Sequence, residues 1–254
     1  MILHSGIIWR YAELTELRPC CPADGGRWLG PRELRHYARF KDQRRREGWL
    51  LGRVLAKQLL LENADTPVGE PREIEIISRD SQGRAVRPEV TVGGRRQPWS
   101  LSISHTDTAV LAAVCFGPAI GLGVDLVRLQ PLGRGFVQAW FDRREQALLG
   151  EGGLLEACTL WAAKEAVYKA AGSGDSFAPR QIRLRLSPLG GYTCTYRGVD
   201  LSDNCRVRTW TAGGHVAALA VVTGDTAQRE AVEPAIAEIG GGRTDFGKHP
   251  IKQD

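Results

Sequence analysis

The chain has 254 residues, of which 43% are hydrophobic and 25% charged, and its formal net charge is +5. This composition is typical of a soluble globular protein with a real core. The longest apolar run, residues 109–114, is far shorter than the roughly 20 residues of a membrane-spanning helix, and the first residues lack the regions of a signal peptide. The six cysteines form no CxxC pair, so neither a zinc site nor a disulfide framework is expected. We therefore expect a cytoplasmic protein that contacts no membrane.

The first helix-like region is strongly basic. Between Arg32 and Lys57 there are nine Lys or Arg residues and three acids. A local excess of this size indicates a polyanionic partner such as a phosphate ligand, a nucleic acid or an acidic protein. A solvated helix face would have the same composition. The spacing predicts a helix on which Trp49, Arg53 and Lys57 recur at four-residue steps.

Two β-like runs follow in the first half, over residues 72–78 and 101–116. The second run begins with a polar cluster that includes Ser104 and His105, whose hydroxyl and imidazole groups could hold a phosphate. A hydrogen-bonded turn is the alternative for these residues. Between the runs, Arg84 follows a glycine in a predicted turn, where plain surface charge is the alternative.

The run AIGLGVDLVRL, residues 119–129, predicts a strand that contains Asp125. Gly121 and Gly123 interrupt its apolar residues, and glycines inside a strand often mark the close approach of a ligand or another backbone. A carboxylate in such a run is costly to bury unless it is paired or binds a metal. Pairing with Arg128 and ligation of a metal are therefore the two interpretations of Asp125.

The stretch LWAAKEAVYKAAG, residues 160–172, predicts one helix on which Trp161, Glu165 and Lys169 share a face. A carboxylate between a large ring and an ammonium group belongs either to a surface ion pair or to a functional site.

If this helix packs on the preceding strand, Glu165 meets Asp125. Two carboxylates brought together repel unless a cation lies between them, and Mg²⁺ binds a few carboxylates together with phosphate oxygens. We therefore predict that Asp125 and Glu165 are ligands of Mg²⁺. Lys164 and Lys169 would then neutralise phosphate oxygens on the same ion.

The second half has further β-like runs at residues 182–186, 192–196 and 215–223. Both halves thus combine helices and strands, which predicts two related α+β halves joined near residues 117–118. The last stretch is rich in glycine and polar residues and predicts a mobile tail. We divide the chain into an N-terminal half, a C-terminal half and this tail, with bounds 1–118, 119–224 and 225–254.

In their order along the chain, these segments resemble the motifs of the 4′-phosphopantetheinyl transferases, specifically the long, two-halved Sfp-like type. The matching segments are KDQRRREGWLLGR at 41–53, GRA at 83–85, ISH at 103–105, LGVD at 122–125, FDRRE at 141–145 and WAAKEAVYK at 161–169. The resemblance covers residues 35–171, and the LGVD and WAAKEAVYK segments are its most specific parts.

This resemblance implies an α+β fold of two similar halves related by a pseudo-twofold, with the active site in the cleft between them. It implies transfer of the 4′-phosphopantetheine group of coenzyme A to a serine of an acyl, peptidyl or polyketide carrier protein, releasing 3′,5′-ADP. The reaction depends on Mg²⁺, and the long type often serves secondary metabolite biosynthesis. A monomer is the simpler expectation, since one chain holds both halves.

Carried over by position, Asp125, Glu165 and Lys169 are the catalytic residues, and the two acids hold Mg²⁺ against the pyrophosphate. The residues implied to bind coenzyme A are Arg44 or Arg53, Arg84, Ser104, His105, Lys164 and Lys169. The carrier serine must lose a proton during the attack. Glu165, directly or through a water relay, is the proposed base, and Glu145 of the FDRRE segment is the alternative.

One departure from the family pattern is Val127, which stands where many long-type members have a third acidic ligand. We expect a site with two carboxylates, and a non-catalytic relative that binds coenzyme A or carriers is the alternative function. A nucleic-acid-binding protein would explain the basic helix but not the two acids, and no nucleic-acid motif is present. The basic helix could also steer an acidic carrier, and the sequence does not divide its arginines between the two roles.

Overall fold

The computed structural model of the protein describes residues 6–21, 25–65, 68–116, 120–149, 153–172, 177–186 and 192–224. Within these residues the fold is α+β, with separate sheets in the two halves of the chain. The predicted α+β class is therefore confirmed. The predicted junction at residues 117–118 and the predicted tail at 225–254 lie outside the described residues.

Where the N-terminal half is described, it contains three α-helices and six strands. In chain order they are β1 (Ile7–Glu13), α1 (Leu14–Leu17), α2 (Pro31–Tyr37), α3 (Gln43–Asn63), β2 (Ile74–Arg79), β3 (Ala85–Val92), β4 (Arg95–Arg96), β5 (Trp99–His105) and β6 (Ala109–Phe116). One antiparallel sheet has the order β1-β6-β5 and a smaller one has the order β2-β3-β4. The apolar run predicted at residues 101–116 is the hairpin of β5 and β6.

The C-terminal half also contains three helices and six strands among the described residues. They are β7 (Gly121–Arg128), α4 (Arg134–Trp140), α5 (Arg143–Leu148), α6 (Leu154–Ala171), β8 (Ile182–Leu186), β9 (Tyr192–Tyr196), β10 (Val199–Asp200), β11 (Cys205–Ala212) and β12 (His215–Val222). Their sheet has the order β10-β9-β11-β12-β7, and β8 pairs with β9. The three runs predicted in this half correspond to β8, β9 and β12.

The two halves repeat one order of elements. In each, a first strand precedes two short helices and one long helix, and the last strand pairs with the first. Arg10 of β1 lies opposite Ala112, the fourth residue of β6. Asp125 of β7 lies opposite Ala218, the fourth residue of β12. Arg10 and Asp125 therefore occupy equivalent positions.

Alternation along β6 explains how the layers stack. Residues 110, 112 and 114 belong to the core beneath α3, whereas residues 109, 111, 113 and 115 belong to a core shared with β7 and β12. Helix α6 packs on the far side of β7 and β12 and closes a third core. Because side chains alternate across a strand, one apolar strand can serve two cores. The order of layers is thus helix, sheet, sheet, helix.

A buried ion pair ties the long helix of the N-terminal half to its neighbours. Lys57 of α3 donates to Glu33 Oε2 over 2.5 Å and also to the carbonyl oxygen of Trp28. Glu33 is the third residue of α2, and its other oxygen accepts the N–H of Ile76, the third residue of β2, at 3.2 Å. A buried charge is costly unless it is paired and hydrogen-bonded, and here each partner satisfies the other.

The C-terminal half contains the same arrangement. Lys164 of α6 lies 2.7 Å from Glu145 Oε2. Glu145 is the third residue of α5, and its other oxygen accepts the N–H of Leu184, the third residue of β8, at 3.2 Å. Lys57 and Lys164 are therefore equivalent residues of the two long helices.

Helix α6 ends at Gly172, whose left-handed φ of 57° suits a glycine better than any other residue. Within the described segments, no helix combines the length and the apolar character needed to cross a bilayer. All six cysteines are free thiols, four of them buried and two half-buried.

Candidate active site

Two glycines of β7 decide how closely α6 approaches the strand. A Cβ atom on Gly123 would lie 2.0 Å from the carbonyl oxygen of Ala166, and one on Gly121 would lie 2.3 Å from that of Ala170. Real Cβ atoms do not come so close to backbone, so only glycine permits this packing. The predicted close approach of another backbone is therefore what the structure has. It brings the second half of α6 directly over Asp125.

Asp125 is buried, and its Oδ1 atom has two polar partners. It accepts a hydrogen bond from Lys169 Nζ at 2.7 Å and another from Ser104 Oγ at 2.8 Å. The alternative in which Arg128 pairs with Asp125 is wrong, because Arg128 instead lies 3.4 Å from the exposed Asp107. A carboxylate in this position belongs to a site between the halves, with Ser104 on one side and Lys169 on the other.

Alternate serines of β5 join the two halves beside this carboxylate. Their hydroxyl groups bond the backbone of β7 as follows: Ser100 with the N–H and carbonyl of Ile120, Ser102 with the N–H of Val124, and Ser104 with the N–H of Leu126. The predicted phosphate-binding cluster thus has another role, since these hydroxyls are used within the protein. Ser104, predicted to bind the cofactor, orients Asp125.

A cavity of about 390 Å³, which we call the cleft cavity, opens between β5, β7 and α6. Its polar lining residues are Ser104, His105, Asp125, Glu165 and Lys169. Its apolar lining residues are Ile103, Leu126, Val127 and Trp161. Sequence analysis predicted that the two acids meet, and the structure brings both into one cavity. Val127 lines it where a third acid could have stood.

Glu165 is poorly solvated, and its environment disfavours its charge. Burial and the nearby charge of Asp125 raise the pKa of Glu165 from 4.5 to about 7, although Lys169 and a hydrogen bond with Trp161 act in the opposite direction. A divalent cation between the two carboxylates would remove this repulsion. Among the described residues no group of three or more His, Cys, Asp or Glu forms a metal cluster. The pair Asp125 and Glu165 would suit a hard cation that takes its other ligands from substrate and solvent.

His105 lies in the wall of the cleft cavity against α3. A Cβ atom on Gly48 would lie 2.7 Å from Nδ1 of His105, so the imidazole rests directly on the helix backbone. The side chain keeps an exposed edge, yet the protein around the ring removes enough water to lower the pKa of His105, and the charges of Lys169, Arg53 and Arg45 lower it further. The ring therefore lies in a positive potential that suits an anionic ligand.

A second cavity of about 510 Å³ lies between α2, α3, β2 and the turn after β2. We call it the arginine cavity. The arginines that line it are Arg32, Arg35, Arg39, Arg53 and Arg79. The aromatic rings that line it are His36, Phe40 and Trp49.

The charge of the arginine cavity acts on its own histidine. Partial burial lowers the pKa of His36, and the guanidinium groups of Arg53, Arg79 and Arg39 lower it further. Such a field favours a ligand with several negative charges. Arg53 is close enough to His105 to affect its pKa as well, so the arginine cavity neighbours the cleft cavity.

Arg53, a predicted ligand of the cofactor, forms the floor of the arginine cavity. Its guanidinium lies 3.5 Å from the ring centroid of Trp49, donates to Ser78 Oγ at 3.0 Å and forms an ion pair with Glu33 at 3.3 Å. Burial lowers the pKa of Arg53 to about 10. The residue is therefore partly committed to the protein, and it still presents positive charge to the cavity.

Two other predicted ligands of the cofactor lie outside both cavities. Arg44 is exposed on the first turn of α3 and lines neither cavity. Arg84 is exposed and pairs with Asp80 at 2.7 Å. Its turn contributes Asp80 and Gly83 to the arginine cavity, so Arg84 lies at the edge of that cavity rather than inside it.

Lys164 does not fit the prediction that it faces a phosphate. Its side chain is fully buried, and its ammonium group is shared among Glu145 and the carbonyl oxygens of Pro179 and Ile182 at 2.7–2.9 Å. These partners use up its donors, which leaves none for a ligand. Glu145 is equally enclosed and cannot reach the cleft cavity, so it is not placed to act as a base.

Sequence analysis did not separate the arginine cavity from the general excess of basic residues. Arg32 precedes Arg35 by three residues and His36 by four, which places these side chains on one face of α2, and Arg39 follows in the turn after the helix. This spacing is the signal that could have identified a binding surface. The sequence around Arg79 has no such spacing. Arg79 is the last residue of β2, and it lines the cavity because the fold brings the end of this strand beside α2.

Residues 121–220 match the profile of the 4′-phosphopantetheinyl transferase superfamily. No protein with curated annotation matches the sequence significantly. Solved structures of holo-[acyl-carrier-protein] synthases are similar over part of the chain.

The Thermotoga maritima enzyme is 19% identical over 41% of this chain and 64% of its own, with a TM-score of 0.36. The match thus covers less than two thirds of that protein. The Helicobacter pylori enzyme, in complex with coenzyme A, is 19% identical over 40% of this chain and 99% of its own, with a TM-score of 0.35. The Bacillus anthracis enzyme, in complex with CoA (3′,5′-ADP), is 22% identical over 45% of this chain and 97% of its own, with a TM-score of 0.36.

Proposed function

Because residues 121–220 carry a domain of the 4′-phosphopantetheinyl transferase superfamily, we propose that this protein transfers the 4′-phosphopantetheine group of coenzyme A to a serine of a carrier protein. The observation that carries the proposal is the cleft cavity. It gathers Asp125, Glu165 and Lys169 from one half against His105 from the other. Two carboxylates for a divalent cation, beside a lysine, form a site suited to a pyrophosphate.

The two cavities suit two adjacent parts of coenzyme A. The nucleotide end carries a 3′-phosphate and a purine ring, which match the guanidinium groups and aromatic rings of the arginine cavity. The pyrophosphate, next along the molecule, would then reach the cleft cavity past His105. We assign Arg35 and Arg39 to coenzyme A on this basis, because both line the arginine cavity. The exposed Arg45 remains for an acidic carrier.

Transfer needs the carrier serine to attack the β-phosphorus while the bond to 3′,5′-ADP breaks and that group leaves. Asp125 and Glu165 would hold Mg²⁺, which neutralises charge on the pyrophosphate oxygens when bound. Lys169 is oriented by Asp125 and by the carbonyl oxygen of Val124 at 3.0 Å, and one of its three N–H groups would remain for the ligand. Glu165, whose pKa is raised by burial and by the charge of Asp125, is the proposed acceptor of the serine proton, directly or through water.

The experiment is the intact mass of an apo carrier domain after incubation with this protein, coenzyme A and Mg²⁺, with EDTA as the control. A mass gain of one phosphopantetheine that disappears with EDTA supports both the reaction and the cation. Acyl, peptidyl and polyketide carriers are tested in parallel.

The second candidate is a relative that binds coenzyme A without transferring it, and Val127 favours it by leaving two carboxylates where a third could bind the cation. Measurable binding of coenzyme A with no mass gain on any carrier type would support this candidate and overturn the transferase.

A further inference from the structure

His215 is a buried histidine of the C-terminal half whose ring contacts the N-terminal half. It is the first residue of β12 and is 4% exposed. Its Nε2 lies 3.0 Å from Thr108 Oγ1 and 3.1 Å from Thr106 Oγ1, which both belong to the turn between β5 and β6. Its Nδ1 lies 2.9 Å from the carbonyl oxygen of Gly213 and 3.3 Å from the hydroxyl of Tyr11. One imidazole thus joins a turn and a strand of the N-terminal half to β12.

The partners of His215 assign its tautomer. A carbonyl oxygen can only accept, so Nδ1 carries the proton and donates to Gly213. Nε2 of the neutral ring then accepts a hydroxyl proton from Thr106 or Thr108. The polar atoms of the buried ring are satisfied, and the two threonines are held from the opposite half.

The turn held by His215 directly follows His105. The N–H of Thr106 donates to the carbonyl oxygen of Ala109 at 2.8 Å, and its Oγ1 accepts the N–H of Ala109 at 3.1 Å. These bonds make the turn a closed unit that moves with Thr106. On its other side, the ring of His105 rests on Gly48 of α3. The place of His105 is therefore determined by α3 and by the turn.

We propose that His215 is a positioning residue for coenzyme A: by holding Thr106 and Thr108 it fixes the turn after β5, and with it the imidazole of His105 in the wall of the cleft cavity. The inference rests on the proposed function, in which His105 contacts the phosphates of coenzyme A. His215 does not line the cleft cavity, so it acts on the ligand only through the turn.

The expected effect follows from which contact is lost. Without the bond from Nε2 the turn gains freedom, and His105 samples positions away from the cavity wall. Groups that bind the cofactor away from the reacting phosphorus affect KM more than kcat. Loss of hydrogen bonds between neutral groups corresponds to about a three- to tenfold rise in KM for coenzyme A, while kcat stays nearly unchanged.

Three variants of the full chain separate positioning from general damage. In His215→Gln the side-chain amide extends far enough to replace Nε2, whereas in His215→Asn it replaces only Nδ1. Val221→Ala is the matched control, because Val221 is a buried core residue of the same strand far along from the turn. For each, KM and kcat are measured together with calorimetric binding of coenzyme A and the imidazole NMR signals of His105. Thr108→Val, at an exposed residue, replaces His215→Asn if that variant does not fold.

We expect His215→Asn to raise KM and the dissociation constant of coenzyme A and to shift the signals of His105, with His215→Gln and Val221→Ala close to the wild type. Equal effects of His215→Asn and Val221→Ala on the binding of coenzyme A, or unshifted NMR signals of His105 in His215→Asn, would overturn the proposal. Coenzyme A binding that responds as expected in a protein without transferase activity would uphold the positioning role while the proposed function fails. A wild type that does not bind coenzyme A overturns both.

Discussion

The two halves meet along two equivalent seams, of which we call the first the polar seam because serine hydroxyls line it. In the first seam β5 lies beside β7, and Ser104 bonds Asp125 at 2.8 Å. In the second seam β11 lies near β1, and Trp210 packs on Trp9 with ring centroids 4.6 Å apart. Ser104 lies opposite the third residue of β6, and Trp210 lies opposite the third residue of β12, so the two are equivalent. Small hydroxyls leave a cavity in one seam, and indole rings fill the other.

Each half also has an ion pair at equivalent positions of its first strand and its long helix, and the two pairs differ in exposure. Arg10 and Asp125 are equivalent by register, and Glu62 and Lys169 each follow the buried lysine of their helix by five residues. The pair Arg10–Glu62 therefore has the charges of the pair Asp125–Lys169 reversed. Its side chains are 38% and 51% exposed, whereas Lys169 and Asp125 are 29% and 6% exposed. One duplicated contact is a surface salt bridge in one half and a desolvated site in the other.

Glycine accounts for much of this difference. Gly123 lies opposite the sixth residue of β12, and its equivalent in β1, opposite the sixth residue of β6, is Ile8. The isoleucine side chain occupies the space between strand and helix that the glycine leaves to the helix backbone. Polar groups of α6 can therefore reach the first strand directly in the C-terminal half. The contrast teaches that the site depends on close backbone packing as much as on its charged residues.

Exchanging the acids of the polar seam should have the largest effect. We expect Asp125→Asn or Glu165→Gln to lower transferase activity on the order of 100- to 1000-fold, the loss typical when one group that stabilises transition-state charge is removed. The mass assay with a carrier domain measures it. Glu62→Gln is the matched control, because an exposed pair contributes only about 0–1 kcal/mol and lies in the other seam. Near-normal activity of either acid variant would refute the metal assignment.

Removing the lysine of each buried ion pair compares how much the two pairs contribute to the free energy of unfolding. Lys164→Met leaves Glu145 buried without a counter-charge and should lower the free energy of unfolding by about 3–5 kcal/mol. Lys57→Met should cost less, because Glu33 keeps its ion pair with Arg53. Urea unfolding of both variants tests this order. Equal losses would mean that Arg53 does not compensate Glu33.

The meeting of Asp125 and Glu165 could be predicted because both acids interrupt apolar patterns on adjacent elements. The role of Lys164 could not be read from its motif alone. It follows from helix geometry, because neighbouring residues on a helix point about 100° apart. With Glu165 directed to the cavity, Lys164 turns toward Glu145.

The relation between the halves was less accessible. Both helices carry a tryptophan and charged residues at four-residue steps, but this spacing does not show how the helices correspond, because the structure makes Lys57 equivalent to Lys164. Only strand register and the buried partners reveal this correspondence. The polar pattern of β5 predicts ligand contacts for Ser104, because a sequence does not show that β5 and β7 lie side by side and are joined through side-chain hydroxyls.

A side chain at Gly123 should displace the backbone of α6 and so disturb the polar seam. Gly123→Ala places a Cβ atom 2.0 Å from the carbonyl oxygen of Ala166, which cannot move without shifting the helix. Overpacking of this kind costs about 1–3 kcal/mol, and transferase activity should fall because Glu165 shifts with the helix. Gly135→Ala in α4, where nothing lies within 4 Å of the new atom, is the control. A stable and active Gly123→Ala variant would contradict the role assigned to close packing.

The smallest expected effect concerns the stability of the metal-free protein as a function of pH. The pKa of Glu165 is raised from 4.5 to about 7, so the folded state favours the protonated acid. Its contribution to stability is fully present below pH 4.5 and is lost as the pH rises through about 7. Glu165→Gln has no such loss and should therefore have a higher melting temperature than the wild type at pH 8. The increase should be about 2–4 °C for each kcal/mol of charge repulsion and desolvation that the amide avoids, and it should be smaller at pH 5. Added Mg²⁺ should reduce the difference at pH 8 by stabilising only the wild type.

Thermal melting of both proteins at the two pH values, with EDTA and with Mg²⁺, measures these differences. Glu62→Gln should show neither dependence, because the carboxylate of Glu62 is exposed. A difference between Glu165→Gln and the wild type that grows toward pH 5 would mean that the carboxylate is already stabilised without the cation, and the two acids would then not need one between them.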